Sequence, residues 1–93
     1  MKRITTTIKK QFLDEIITGK KRVEYREIKP YWNRKFSNIL LPFELRLING
    51  MSKKAPEVTV LITQITIGDE YELWIGSILS MKNCGSKFEN IRS

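Results

Sequence analysis

Ninety-three residues suit one domain with a modest core, and 41% hydrophobic with 29% charged residues is the make-up of a folded chain rather than a disordered, collagen-like or mucin-like one. One cysteine, Cys84, and no histidine exclude an internal disulfide scaffold, zinc sites of the Cys/His kind and every Ser-His-Asp or Cys-His mechanism, so any chemistry falls to Lys, Arg, Tyr, Ser, Thr and carboxylates. No apolar run approaches the ~20 residues of a membrane span, and Met1-Lys2-Arg3-Ile4-Thr5-Thr6-Thr7 lacks the apolar run of a signal peptide, so a cytoplasmic protein without a membrane partner, metal or cofactor is expected.

In chain order, Ile4, Thr6 and Ile8 alternate with Thr5 and Thr7, a β-branched strand pattern. From Lys9 to Thr18 the apolar Phe12, Leu13, Ile16 and Ile17 recur at helical spacing. This predicts a helix of about three turns, with Thr7 as N-cap and Gly19 closing it. Arg22-Val23-Glu24-Tyr25-Arg26 alternates charged and apolar residues. As a strand it puts Arg22, Glu24 and Arg26 on one face and Val23 and Tyr25 on the other, the core side. Pro30-Tyr31-Trp32 opens a turn or short helix to about Phe36. Residues 37–42 read as irregular.

Phe43, Leu45 and Leu47 make a strand that ends at the turn signal Asn49-Gly50. Val58, Val60 and Ile62 share a face of the next strand. The alternation slips at Thr63-Gln64 and resumes at Ile65 and Ile67, which predicts a β-bulge. Gly68-Asp69 marks a hairpin. The last long strand carries Tyr71, Leu73 and Ile75, with Trp74 and Ile78 opposite; Trp74 is expected in the core. The tail 82–93 reads as a loose end with a short element near Phe88 and Ile91, and Cys84 as an inert thiol. These elements add up to a small α+β fold: about five mostly antiparallel strands curled into a barrel, with one amphipathic helix packed on it.

The charge is unevenly placed. Residues 1–35 hold eleven basic and four acidic side chains, the whole of the net +7, while residues 36–93 sum to zero. A basic half beside a neutral one suits a polyanionic partner, and equally a well-solvated lysine-rich surface.

Phe12, Ile16, Gly19, Lys21, Glu24, Tyr25 and Arg26 spell F-x-x-x-I-x-x-G-x-K-x-x-E-Y-R. With Pro30-Tyr31-Trp32, Asn49-Gly50 and Trp74-Ile75-Gly76-x-Ile78, the chain resembles the ASCH family (activating signal cointegrator homology) of the PUA-like barrels. The likeness runs over about residues 4–79, within a single domain spanning 1–93. It implies a barrel with a cleft beside the first helix, into which the Gly-Lys loop projects, and a role in RNA metabolism. One branch of the family hydrolyses acetylated cytidine and reads G-x-K-x-x-T-x-R. Lys21 falls on its catalytic lysine, and Glu24 stands where its threonine would be. Other members are described as nucleases.

Lys21 offers a mobile point charge for phosphate. As a base or nucleophile it would need desolvation or cationic neighbours, which Lys20, Arg22 and Arg26 could supply. Glu24 suits the exocyclic amine of a base, and Arg26 a bidentate contact to phosphate or carbonyl; an ion pair of Glu24 with Arg22 or Arg26 is an equal reading. Tyr31 and Trp32, aromatics among cations, suit stacking on unpaired bases, though Trp32 also suits a lid on the barrel. The expected function is thus binding of RNA or a nucleoside or nucleotide ligand. A small amidohydrolase or nuclease using Lys21 and Glu24, and a module for an acidic protein partner, are the alternatives.

Overall fold

The computed structural model describes residues 1–85; the element expected near Phe88 and Ile91 lies outside them. The elements run β1 (Arg3–Thr7), α1 (Lys10–Ile17), β2 (Val23–Arg26), α2 (Pro30–Phe36), β3 (Phe43–Ile48), β4 (Glu57–Ile67) and β5 (Tyr71–Lys82). The strands form one sheet in the order β1-β3-β4-β5-β2, with only the β1–β3 pair parallel. Among the described residues the sheet curls into a half-barrel with two helices, the expected α1 and, in α2, the short helix that Pro30 opens.

The core follows from alternation. Phe43, Leu45 and Leu47 on β3 face Val58, Val60 and Ile62 on β4, and all six are fully buried. Truncating such a residue to alanine costs about 2–5 kcal/mol, the lost transfer energy plus the cavity left behind. Helix α1 adds Leu13, Ile16 and Ile17 to this core, and α2 adds Trp32 and Phe36. Ile75, Ile78 and Met81 of β5 pack against it from the side. The opposite face of the sheet is polar, with Arg3 paired to Glu44 and Arg46 forked onto Glu57.

Several local expectations need correction. Helix α1 is eight residues, about two turns, and its N-cap is Lys9 with no side-chain cap bond. Thr7 cannot serve as N-cap, because it ends β1 in register with Ile48. Phe12 lies at the edge of the helix's apolar stripe and is 37% exposed. Gly19 does close the helix at φ +83°, a conformation that side chains resist. The N–H groups of Gly19 and Lys21 then return to the carbonyls of Ile16 and Glu15. That anchored turn fixes where Lys21 begins.

The phase slip near Thr63-Gln64 is a bulge: the β4–β5 register shifts between Leu61 and Gln64. The bulge lets two long strands bend together without losing their buried face.

Candidate functional site

The site sits where Arg26 bridges the two edges of the half-barrel. Strand β2 is the edge next to β5, β1 is the edge next to β3, and α1 spans the gap in sequence between them. Arg26, the last residue of β2, reaches across to β1. Its Nη1 donates to Thr6 Oγ1 at 3.3 Å and its Nη2 to the Thr7 carbonyl at 2.9 Å. The same guanidinium donates through Nε to Glu24 Oε2 at 3.0 Å, and through Nη2 to that oxygen again. Four of its five N–H donors are thereby engaged.

Glu24 lies on the inner side of β2 opposite Leu73, only 5% exposed. A carboxylate tolerates that position because it is paired twice. Arg26 holds Oε2, and the Lys21 ammonium lies 3.3 Å from Oε1. Lys21 arrives from the turn after Gly19, and its Nζ lies over two rings, 5.1 Å from the Phe12 centroid and 5.0 Å from that of Tyr25. Both distances suit cation–π attraction.

These groups line an open cleft of about 580 Å³, walled by Thr7, Ile8, Lys9 and Phe12 on one side and Lys21, Glu24, Tyr25 and Arg26 on the other, with Glu70 at the rim. Three cations and two carboxylates share a pocket that also carries two aromatic rings. A smaller depression of about 270 Å³ adjoins it, lined by Glu15, Lys20, Lys21, Arg22, Val23 and Tyr25. Lys21 and Tyr25 are common to both.

The expected site residues therefore divide. Lys21, Glu24 and Arg26 come together around one carboxylate. The partners of Glu24 are Lys21 and Arg26 rather than Arg22, and the Arg26 guanidinium, expected to fork onto phosphate or carbonyl, instead places two N–H groups on the one oxygen Oε2 of Glu24. Lys20 and Arg22 are exposed in the neighbouring depression. Tyr31 is exposed on α2, with Lys35 over its ring at 5.6 Å. Trp32 takes the lid role: it is 5% exposed, stacked on Phe36 at 5.3 Å, with the Arg26 guanidinium 5.3 Å from its ring.

Two expectations of burial are corrected. Tyr25 is 48% exposed and Trp74 is 42% exposed. Both lie on the solvent side of the sheet, because the inner positions of β2 and β5 belong to Glu24 and Leu73. Phe12, Tyr25 and Thr7 are site residues that periodicity assigned elsewhere. The signal that could have found Tyr25 is its place between Glu24 and Arg26: an inward-facing charged pair forces the residue between them outward.

Among the described residues, no three His, Cys, Asp or Glu side chains converge to hold a metal ion, and no buried side-chain nitrogen or oxygen lacks a hydrogen-bond partner. Among the same residues no helix is long and apolar enough to cross a membrane. In comparisons with protein families, curated proteins and solved structures, nothing matches the chain.

Proposed function

We propose that this chain is an ASCH-type, PUA-like module that binds single-stranded RNA, taking one base into the cleft between α1 and β2. The observation that carries this reading is the Lys21–Glu24–Arg26 cluster. It presents an oriented carboxylate, an ammonium and aromatic rings in a cavity of nucleoside size. Arg26 holds Glu24 still from behind, so Oε1 keeps acceptor capacity toward the cleft beside Lys21. A base bearing an exocyclic amine can donate to that oxygen, and the Phe12 and Tyr25 rings offer it flat apolar walls. Lys9 and Lys21 supply charge for the adjoining phosphate, with Lys20 and Arg22 just outside. Arg26 acts here as a positioning residue rather than a direct phosphate ligand.

The test is the salt dependence of binding to an oligocytidylate hexamer. Affinity should fall linearly on a log–log plot as salt rises. Lys21→Ala should weaken binding and reduce the slope by about 0.7, the share of one phosphate contact on a single strand. Salt-insensitive binding, or a Lys21→Ala protein that binds like wild type, contradicts the reading.

A second reading is favoured by the 3.3 Å approach of Lys21 Nζ to Glu24: a small hydrolase acting on a modified nucleoside, with those two residues as the reacting pair. Release of acetate from acetylated cytidine, abolished by Lys21→Ala, would establish it over simple binding.

A further inference from the structure

The outer face of the sheet beside the cleft carries a feature that the cleft does not use. Trp74 is an exposed indole, yet it is held in place. Its Nε1 donates to Thr66 Oγ1 at 2.8 Å, and the Thr66 hydroxyl donates to Glu72 Oε1 at 2.6 Å. This relay holds both the indole edge and the Glu72 carboxylate toward β4. Trp74 pairs with Val23, and Tyr25 with Glu72. The two aromatic residues are therefore diagonal neighbours on adjacent strands, roughly 7–8 Å apart at the backbone and within reach of one strand of nucleic acid. Between Tyr25 and Glu15 of α1 lies the depression lined by Lys20, Arg22 and Val23, which shares Lys21 and Tyr25 with the cleft.

We propose that Trp74 is a second base-stacking platform: RNA leaves the cleft around Tyr25, passes its phosphate by Lys20 and Arg22, and lays the next base on the indole. The proposal rests on the reading of the cleft as an RNA site and adds the strand's exit path. Three observations carry it. The ring is exposed where a core residue would be covered. Its orientation is already set, so little rotamer freedom is lost on stacking. The cationic depression shares Lys21 and Tyr25 with the cleft, and its Val23 is the register partner of Trp74. A single nucleotide carries one base and cannot fill both cleft and platform, so the site should prefer oligomers to mononucleotides.

The experiment compares cytidine monophosphate with the oligocytidylate hexamer on wild type, Trp74→Ala and Trp74→Phe. Trp74→Ala should weaken the hexamer about 5- to 150-fold, the worth of one stacked base, and leave the mononucleotide unchanged. Trp74→Phe should retain most of the hexamer affinity. The hexamer, and not the mononucleotide, should quench tryptophan emission in wild type, and this quenching should vanish in Trp74→Ala, where only buried Trp32 remains. If both ligands bind and Trp74→Ala matches wild type, the platform is refuted and the cleft reading stands. Equal losses for both ligands refute it as well, because a damaged fold moves both. If neither ligand binds wild type, the platform and the cleft reading fail together.

Discussion

Glu24 is the residue on which the local arrangement turns. Its carboxylate is the shared counter-ion of two cations whose side chains are only 14% and 16% exposed. Glu24→Ala leaves both without their anion, and removing one member of a buried ion cluster costs about 3–5 kcal/mol. A urea titration should show the midpoint falling accordingly, and a midpoint like wild type would mean the cluster is dispensable. Glu57 makes a different prediction. The fork of Arg46 holds its carboxyl below the ordinary value near 4.5, chiefly through the side-chain hydrogen bond and against the opposing effect of burial. A carboxyl whose folded pKa is depressed adds stability above its unfolded pKa, and that stability is lost as pH falls through the folded one. Thermal melts between pH 5 and pH 2 should show an acid limb that flattens in Glu57→Gln; an unchanged limb would assign acid sensitivity to other groups. The basic residues around Lys21 and the charged face of β2 were legible in the sequence, because charge and alternation are local. The exposure of Phe12, Tyr25 and Trp74 was not, because which face of an edge strand or short helix is covered depends on partners far away in the chain.

The elements were legible to the extent that each has its own period or punctuation. The alternating runs of β3 and β4, the proline that opens α2 and the glycine that closes α1 mark themselves. The bulge in β4 was visible as a break in alternation, but its partner was not. Gly76 of β5 lies against Thr63, and a methyl group built on it would come within 2.6 Å of Thr63 Cγ2. The bulge pushes a β-branched side chain to the place where the facing strand has none, which is what a strand glycine allows. Gly76→Ala should therefore destabilise by about 1–3 kcal/mol, the usual cost of overpacking. Adding Thr63→Ser removes the offending methyl and should restore most of the loss. A double-mutant cycle checks this, and strict additivity of the two changes would show that they do not touch. The length and capping of α1 escaped the sequence for a related reason. β1 claims Thr7 for its ladder with β3, and that pairing leaves the helix to start at Lys10 without a side-chain cap.

At the scale of the whole molecule, the sheet is open in its backbone and bridged by a side chain. β1 and β2 are its two edges, and Arg26 spans them through Thr6 and the Thr7 carbonyl. That bridge is also the rear support of Glu24, so closure of the half-barrel and orientation of the cleft's carboxylate are one event. An antiparallel α+β chain with a curled sheet could be read from the pattern of elements, but the strand order could not. The parallel β1–β3 pair and the placement of β2 beside β5 depend on contacts between residues some forty or more apart, which no local period encodes. RNA binding in the cleft is tested most directly by a ¹H–¹⁵N titration of the protein with the oligocytidylate hexamer. Amide shifts should concentrate at residues 7–12 and 21–26, with Trp74 on the exit path, saturate together and need more hexamer to saturate in Lys21→Ala. Shifts centred instead on the Arg3–Glu44 and Arg46–Glu57 face of the sheet, or no shifts at all, would contradict it.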